Sequence, residues 1–135
     1  MDLRDPQTGQ VYFTHAELAC KATGRVVLGF GFANALVALR RDFGRPMRVT
    51  SCCRSREHND TVGGHYRSLH VYDDTYHQTG GTVAVDVAFS DQLYLYDLVR
   101  LAVSTGWSFG INWPKRFIHL DRRGDFGLPS AVFPY

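Results

Sequence analysis

Residues 83–89, Val-Ala-Val-Asp-Val-Ala-Phe, alternate so strictly that they fit one kind of local structure. Successive side chains of a strand point to opposite faces. Val83, Val85, Val87 and Phe89 therefore form one apolar face. The opposite face carries Asp86 between Ala84 and Ala88, whose small side chains leave room around a carboxylate. Aspartate is disfavoured in mid-strand, and burying it without a partner is costly. Asp86 therefore calls for a cation. A second run, Phe117–Asp121, repeats the logic: Ile118 and Leu120 share one face, His119 and Asp121 the other.

The remaining elements follow from periodicity and capping residues. Residues 1–13 read as an irregular lead-in with turns at Asp5-Pro6 and Thr8-Gly9. Thr14-His15-Ala16-Glu17 forms a capping box, in which the threonine oxygen accepts a backbone N–H and the glutamate reaches back. A short helix is expected from there to about Gly24. Phe32, Ala35, Leu36, Leu39 and Phe43 recur at three- and four-residue steps, which puts them on one helical face, and Gly44 and Pro46 end that helix. Met47–Ser51 is a short strand with Val49 facing the core. A helix is expected from about Asp91 to Ser104, with Leu95, Leu98, Val99 and Ala102 apolar and Gly106 as its stop. Residues 107–114 read as an aromatic turn region containing glycine, so Trp107, Phe109 and Trp113 are assigned to core and turn packing. Phe117–Asp121 is expected to be the last strand. Helices come early and strands later without strict alternation. This predicts an α+β fold with a small, largely antiparallel sheet flanked by helices.

The 135 residues suffice for one domain and leave no room for two. Fifteen Lys and Arg against thirteen Asp and Glu give a net charge of +2, scattered rather than striped, so nothing electrostatic calls for a nucleic acid. The most apolar stretch, Val26–Leu39, is short of the roughly 17–25 residues that a helix needs to cross a bilayer. No membrane partner is expected. Cys20, Cys52 and Cys53 are odd in number and contain no CxxC pair, which argues against both a disulfide framework and a thiolate zinc site. Free thiols suit a reducing compartment. Met-Asp-Leu-Arg-Asp-Pro lacks the basic and apolar regions of a signal peptide, so synthesis in the cytoplasm without an export signal is expected.

Residues 52–82 lack apolar periodicity and hold four of the six histidines and four glycines. Such a stretch inside a compact domain is more often a functional surface than a linker. With Asp86 and His119 it supplies the donors of a catalytic zinc site, two imidazoles and one carboxylate with a fourth position open.

A wider set of motifs agrees. In chain order these are Ser51-Cys52-Cys53-Arg54-Ser55-Arg56-Glu57-His58-Asn59, Val62-Gly63-Gly64, Ser68-Leu69-His70, Ala84-Val85-Asp86-Val87 and Phe117-Ile118-His119-Leu120-Asp121. Together they resemble the zinc D-Ala-D-Ala carboxypeptidases. That family includes phage endolysins cutting L-alanyl-D-glutamate bonds and shares its fold with the Hedgehog signalling domain. The likeness covers about residues 13–124. It implies Zn²⁺ held by His70, Asp86 and His119. It also implies that Arg54 grips a substrate carbonyl or carboxylate, that Ser68 supports the first ligand at the substrate site, and that Asn59 fixes the loop backbone. His15 and His58 are left as structural.

The chain departs from the family pattern Ser-x-His-x-x-Gly-x-Ala-x-Asp in three places. The family spaces its first two ligands seven apart; here the spacing is sixteen, which leaves an insertion at roughly Val71–Gly80. His77 stands seven after His70 and is a rival ligand, but the Ala-x-Asp strand context favours Asp86. Thr82 occupies the motif glycine's place. Three residues before His119, where many relatives carry a catalytic acid or histidine, stands Arg116. Asp121 then becomes the candidate general base, ahead of Glu57, His65 and His77.

The resemblance implies a zinc metallopeptidase acting on bacterial cell-wall peptides, of D,D-carboxypeptidase or L-Ala-D-Glu endopeptidase type. Without an export signal it is expected to be encoded by a phage or prophage. It would reach the wall through a holin or as part of a virion, where other phage tail proteins become partners. The alternative is a tail or wall-binding component that keeps the fold and has lost turnover. A metal-dependent nuclease is a third reading.

Overall fold

A computed structural model describes all 135 residues. It is α+β, with four helices and two sheets. Strands β1 (Leu3–Arg4) and β2 (Val11–Phe13) pair as an antiparallel hairpin and lead into helix α1 (His15–Leu18). Helix α2 (Phe32–Phe43), strand β3 (Val49–Ser51) and helix α3 (Arg56–Thr61) follow. Then come β4 (Ala84–Ala88), α4 (Gln92–Ser104), β5 (Ser108–Asn112), β6 (Phe117–Asp121), a 3₁₀ turn at Arg123–Phe126, and β7 (Val132–Pro134). The main sheet runs β3-β4-β6-β5-β7 and is antiparallel except where β7 lies parallel to β5.

The strong sequence signals become the elements that carry the core. In α2, Phe32, Leu36, Leu39 and Phe43 are buried, and Gly44 ends the helix in the left-handed conformation, donating its N–H to the Arg40 carbonyl. Asp91 caps α4 by accepting the Tyr94 N–H at 2.8 Å, and Leu95, Leu98 and Ala102 face inward. All four apolar-face residues of the β4 run, Val83 to Phe89, are buried in one cluster of 25 residues. The Thr14–Glu17 capping box forms as expected.

The structure corrects four expectations. The lead-in is a hairpin, because Phe13 is fully buried and Leu3 nearly so, while Asp5 gathers the turn by accepting from Gln7 N–H, Thr8 N–H and the Tyr12 hydroxyl. Helix α1 stops at Leu18 rather than near Gly24. Cys20 N–H instead bonds the Arg25 carbonyl, and Gly24 N–H closes back on Cys20. Residues 108–112 form a strand, not a turn, since Phe109 and Ile111 pair with Leu120 and Ile118. Gly110 is there for close approach: a Cβ on it would run into the Phe133 ring. Finally, β6 is followed by another strand, β7, whose flanks are held by Phe109 N–H to the Ala131 carbonyl and Tyr135 N–H to the Ile111 carbonyl.

No helix is long and apolar enough to cross a membrane.

Candidate metal centre

The antiparallel register of β4 and β6 sets Asp86 opposite His119 and Ala84 opposite Asp121. The polar faces of the two strands thus meet between small side chains. His70 arrives from the loop preceding the insertion, its Nδ1 hydrogen-bonded to the Cys52 carbonyl at 2.7 Å. His70 Nε2, Asp86 Oδ1 and His119 Nδ1 lie 3.0, 3.0 and 3.2 Å from one another. All three residues are buried.

Which nitrogen carries the proton follows from what stands behind each ring. The Cys52 carbonyl can only accept, so His70 Nδ1 donates and Nε2 offers a lone pair. Asp121 Oδ2 accepts from His119 Nε2 at 2.8 Å, which leaves the His119 Nδ1 lone pair facing the cluster. Three acceptor atoms therefore point at one another, and such a group holds either a proton or a cation. Ligands about 2.0–2.2 Å from a tetrahedral ion stand roughly 3.3 Å apart, close to the separations seen here. The donors fit a metal ion with a fourth position open.

The electrostatics agree with the geometry. Burial opposes ionisation of Asp86, but the His70 and His119 rings beside it hold its carboxyl well below the usual carboxylate range. Burial also pushes His70 below the ordinary imidazole value despite the neighbouring Asp86, which keeps its nitrogen free to ligate. At His119 the same burial is outweighed by the bonds to Asp121 and Asp86, and its affinity for a proton rises. A metal would take that proton's place.

Arg54 fixes the other oxygen of the shared carboxylate. Its Nη2 is 3.5 Å from Asp86 Oδ2, its Nε donates to Ser51 Oγ at 3.1 Å, and its Nη1 donates to Asn59 Oδ1 at 3.3 Å. Asn59, fully buried, donates in turn to the His65 carbonyl. Gly64 must be glycine, because a Cβ would strike the Asn59 amide. Ser68 Oγ accepts the His70 N–H at 3.2 Å and so steadies the first member of the cluster. These groups border a cleft of about 460 Å³ lined also by His119, Arg123, Phe133 and Tyr135.

A family model for peptidase M15 matches residues 11–121. The chain belongs to the peptidase M15 family. As this M15 member's geometry would require, the matched span contains all three residues of the cluster together with Arg54 and Ser68. No curated protein matches the chain closely enough to add to this.

Asp121 lies outside the cleft lining. It is fully buried behind His119, where Oδ2 accepts from His119 Nε2 and Arg123 Nη2, and Oδ1 from Arg123 N–H and Nε. Burial would raise its carboxyl, yet the His119 and Arg123 bonds bring it down to about 2. Its lone pairs are spent on His119 and Arg123, and it has no face on the cleft. His77 lines the cleft but stands outside the cluster; His65 lies on the cleft wall, and Glu57 points to solvent. Trp107 and Phe109 are buried, while Trp113 is exposed and packs edge-on to Phe89, so none of the three walls the cleft.

Sequence reasoning missed Arg123 and Tyr135. The Tyr135 ring stacks on His119 at 4.5 Å and 29°, and its hydroxyl sits beside the Arg54 guanidinium. Burial and the Asp86 charge push that phenol up to about 12. Arg123 carried one signal, its place two residues after an aspartate expected to be buried; Tyr135 carried none, because β7 was not legible.

Proposed function

We propose that this chain is a zinc metallopeptidase that hydrolyses amide bonds in bacterial peptidoglycan peptides, as a D,D-carboxypeptidase or an L-Ala-D-Glu endopeptidase, and that it is phage- or prophage-encoded. The observation that carries the reading is the convergence of three buried lone pairs beside an open cleft. His70, Asp86 and His119 would hold the ion, and the charge-neutral imidazoles with one carboxylate are the donor types that zinc takes in catalytic sites. Zinc bound there supplies an activated water and polarises the scissile carbonyl.

The protein's own groups do the positioning. Asp121 holds the His119 ring and its tautomer, a carboxylate–histidine arrangement that also raises ligand basicity. The Cys52 carbonyl does the same for the His70 ring, and the Ser68 hydroxyl holds the His70 backbone by accepting its N–H. Arg54 presents a guanidinium, clamped by Ser51, Asn59 and Asp86, to a substrate carboxylate or to the oxyanion that develops on the attacked carbonyl. The protein would meet the wall after holin release or as part of a virion, with other phage tail proteins as partners.

A second reading, a tail or wall-binding component that has lost turnover, is favoured by one observation: no Asp or Glu lines the cleft to accept a proton. Purified wall incubated with the zinc-loaded protein and with His119→Ala separates the two. Muropeptide release by the first and not the second supports the peptidase. Release by neither, with zinc bound by the first, gives the site to the binding component.

A further inference from the structure

We propose that the turn before Ser68 and the insertion after His70 build a second anion subsite on the cleft wall, centred on Arg67, which takes a carboxylate of an acidic peptide. The inference rests on the peptidase reading for its choice of a peptide ligand and goes beyond it in naming where a second negative charge is held.

Three guanidinium groups line the cleft, and two are already committed. Arg54 is bound to Asp86, Ser51 and Asn59, and Arg123 to both oxygens of Asp121. Arg67 alone has no carboxylate within 4.0 Å. Its Nε donates to the Tyr66 hydroxyl at 2.9 Å, which leaves both terminal nitrogens with no protein partner.

Arg67 is exposed, with two aromatic rings against its guanidinium. Its guanidinium carbon lies 5.1 Å from the Tyr66 ring centre and 5.0 Å from that of Tyr76, and the two rings meet edge to face at 5.8 Å. Tyr76 belongs to the insertion. A guanidinium fixed by aromatic contacts loses less freedom on binding than a loose surface arginine, and its planar fork matches a carboxylate at two points.

The neighbours add donors rather than acids. His65 Nδ1 accepts the Arg67 N–H at 3.0 Å, so the ring's proton sits on Nε2, and the ring stacks on Tyr66 at 4.7 Å. His77 packs edge-on to Tyr76 at 4.8 Å. The two acids of the insertion are drawn to another residue: Asp73 Oδ1 accepts the Arg56 N–H at 2.6 Å, and Asp74 Oδ2 lies 3.8 Å from Arg56 Nε. Arg56 further bonds the Tyr66 and Asp74 carbonyls at 2.7 and 2.9 Å, tying turn and insertion into one unit. The result is a cation without a carboxylate partner, flanked by two aromatic rings, in a cleft without a lining carboxylate.

The test compares two peptidoglycan stem peptides, one with a free glutamyl α-carboxylate and one with that group converted to the carboxamide. Both are titrated calorimetrically into zinc-loaded wild type, Arg67→Gln and Tyr76→Ala. Wild type is expected to bind the acid about tenfold more tightly than the amide, as a charge-assisted two-point bond implies. In Arg67→Gln the two peptides bind alike, and in Tyr76→Ala the ratio narrows. No preference in wild type, or a preference that survives in Arg67→Gln, overturns the proposal. A full ratio in Tyr76→Ala removes the insertion from it. Product analysis of the same mixtures keeps the two readings apart: an Arg67-dependent preference without cleavage of either peptide leaves the subsite standing and removes the peptidase.

Discussion

Replacing Asp121 by asparagine changes one charge and almost no volume, and the structure says where the damage falls. The carboxylate accepts from His119 Nε2 at 2.8 Å and carries four bonds from Arg123 at 3.0, 3.0, 3.2 and 2.7 Å. An asparagine has one acceptor oxygen and one donor nitrogen to face the same donors. With its amide nitrogen toward His119, the imidazole proton is driven to Nδ1, the atom that faces Asp86 and His70, and a ligand lone pair is lost. With its nitrogen toward Arg123, donor meets donor, and His119 keeps its tautomer but loses a charged partner. Disturbing such an outer partner typically weakens metal binding about 10- to 100-fold, or roughly 1.4–2.7 kcal/mol. Zinc affinity of Asp121→Asn, read by competition with a chromogenic chelator on protein shown to be folded by circular dichroism, is expected to fall in that range. A general base would behave differently: turnover would drop by about 10²–10⁴ with zinc affinity intact. Zinc affinity within twofold of wild type would refute the positioning role.

Three further outcomes are expected. Asp86→Ala is expected to lose stoichiometric zinc while His77→Ala keeps one ion per chain; equal zinc in wild type and Asp86→Ala, measured by atomic emission, would show the wrong carboxylate. Zinc at a hundred times its dissociation constant adds about 2.7 kcal/mol of stability, or roughly 9 °C in Tm for a domain of this size, and a chelator reverses it. A Tm unmoved by zinc in a calorimetric scan would contradict a site formed only in the folded chain. Gly110→Ala places a methyl against the Phe133 ring and within 2.9 Å of its carbonyl oxygen, an overpacking expected to cost about 1–3 kcal/mol and to loosen β7; an unchanged Tm would refute that contact.

Legibility of the fold tracked the length of each pattern. The β4 and β6 runs are long enough for alternation to show, and both strands form where the alternation is. Helices α2 and α4 announced themselves through apolar spacing and through Gly44 and Asp91 at their ends. Elements of two or three residues, such as β1, β2 and β7, cannot display a period at all. Strand β5 was misread for another reason. Gly110 looks like a turn residue because glycine is most often read for its backbone freedom, whereas here it is needed for what passes over it, the Phe133 ring brought in by a strand twenty-odd residues later. No local pattern encodes that contact.

The site was legible further than the fold around it, because two of its three donors sit on strands whose register is fixed by burial. A slip of one residue between β4 and β6 would turn Val85, Val87, Ile118 and Leu120 out of the core, so Asp86 and His119 are held opposite each other by the apolar face behind them. The added spacing between His70 and Asp86 does not loosen this, since the insertion is closed at its root. Arg54 N–H bonds the His70 carbonyl, Tyr72 N–H bonds the Arg54 carbonyl, and Val83 N–H bonds the Leu69 carbonyl, each at 2.9 Å. The Thr82 hydroxyl, at the motif glycine's place, adds a bond to the His70 carbonyl at 2.6 Å. Residues added beyond such a root extend outward, and loop length alone costs little. That is why spacing along the chain pointed to His77 while the strand context pointed to Asp86: register transmits position across the sheet, and sequence distance through a loop transmits none.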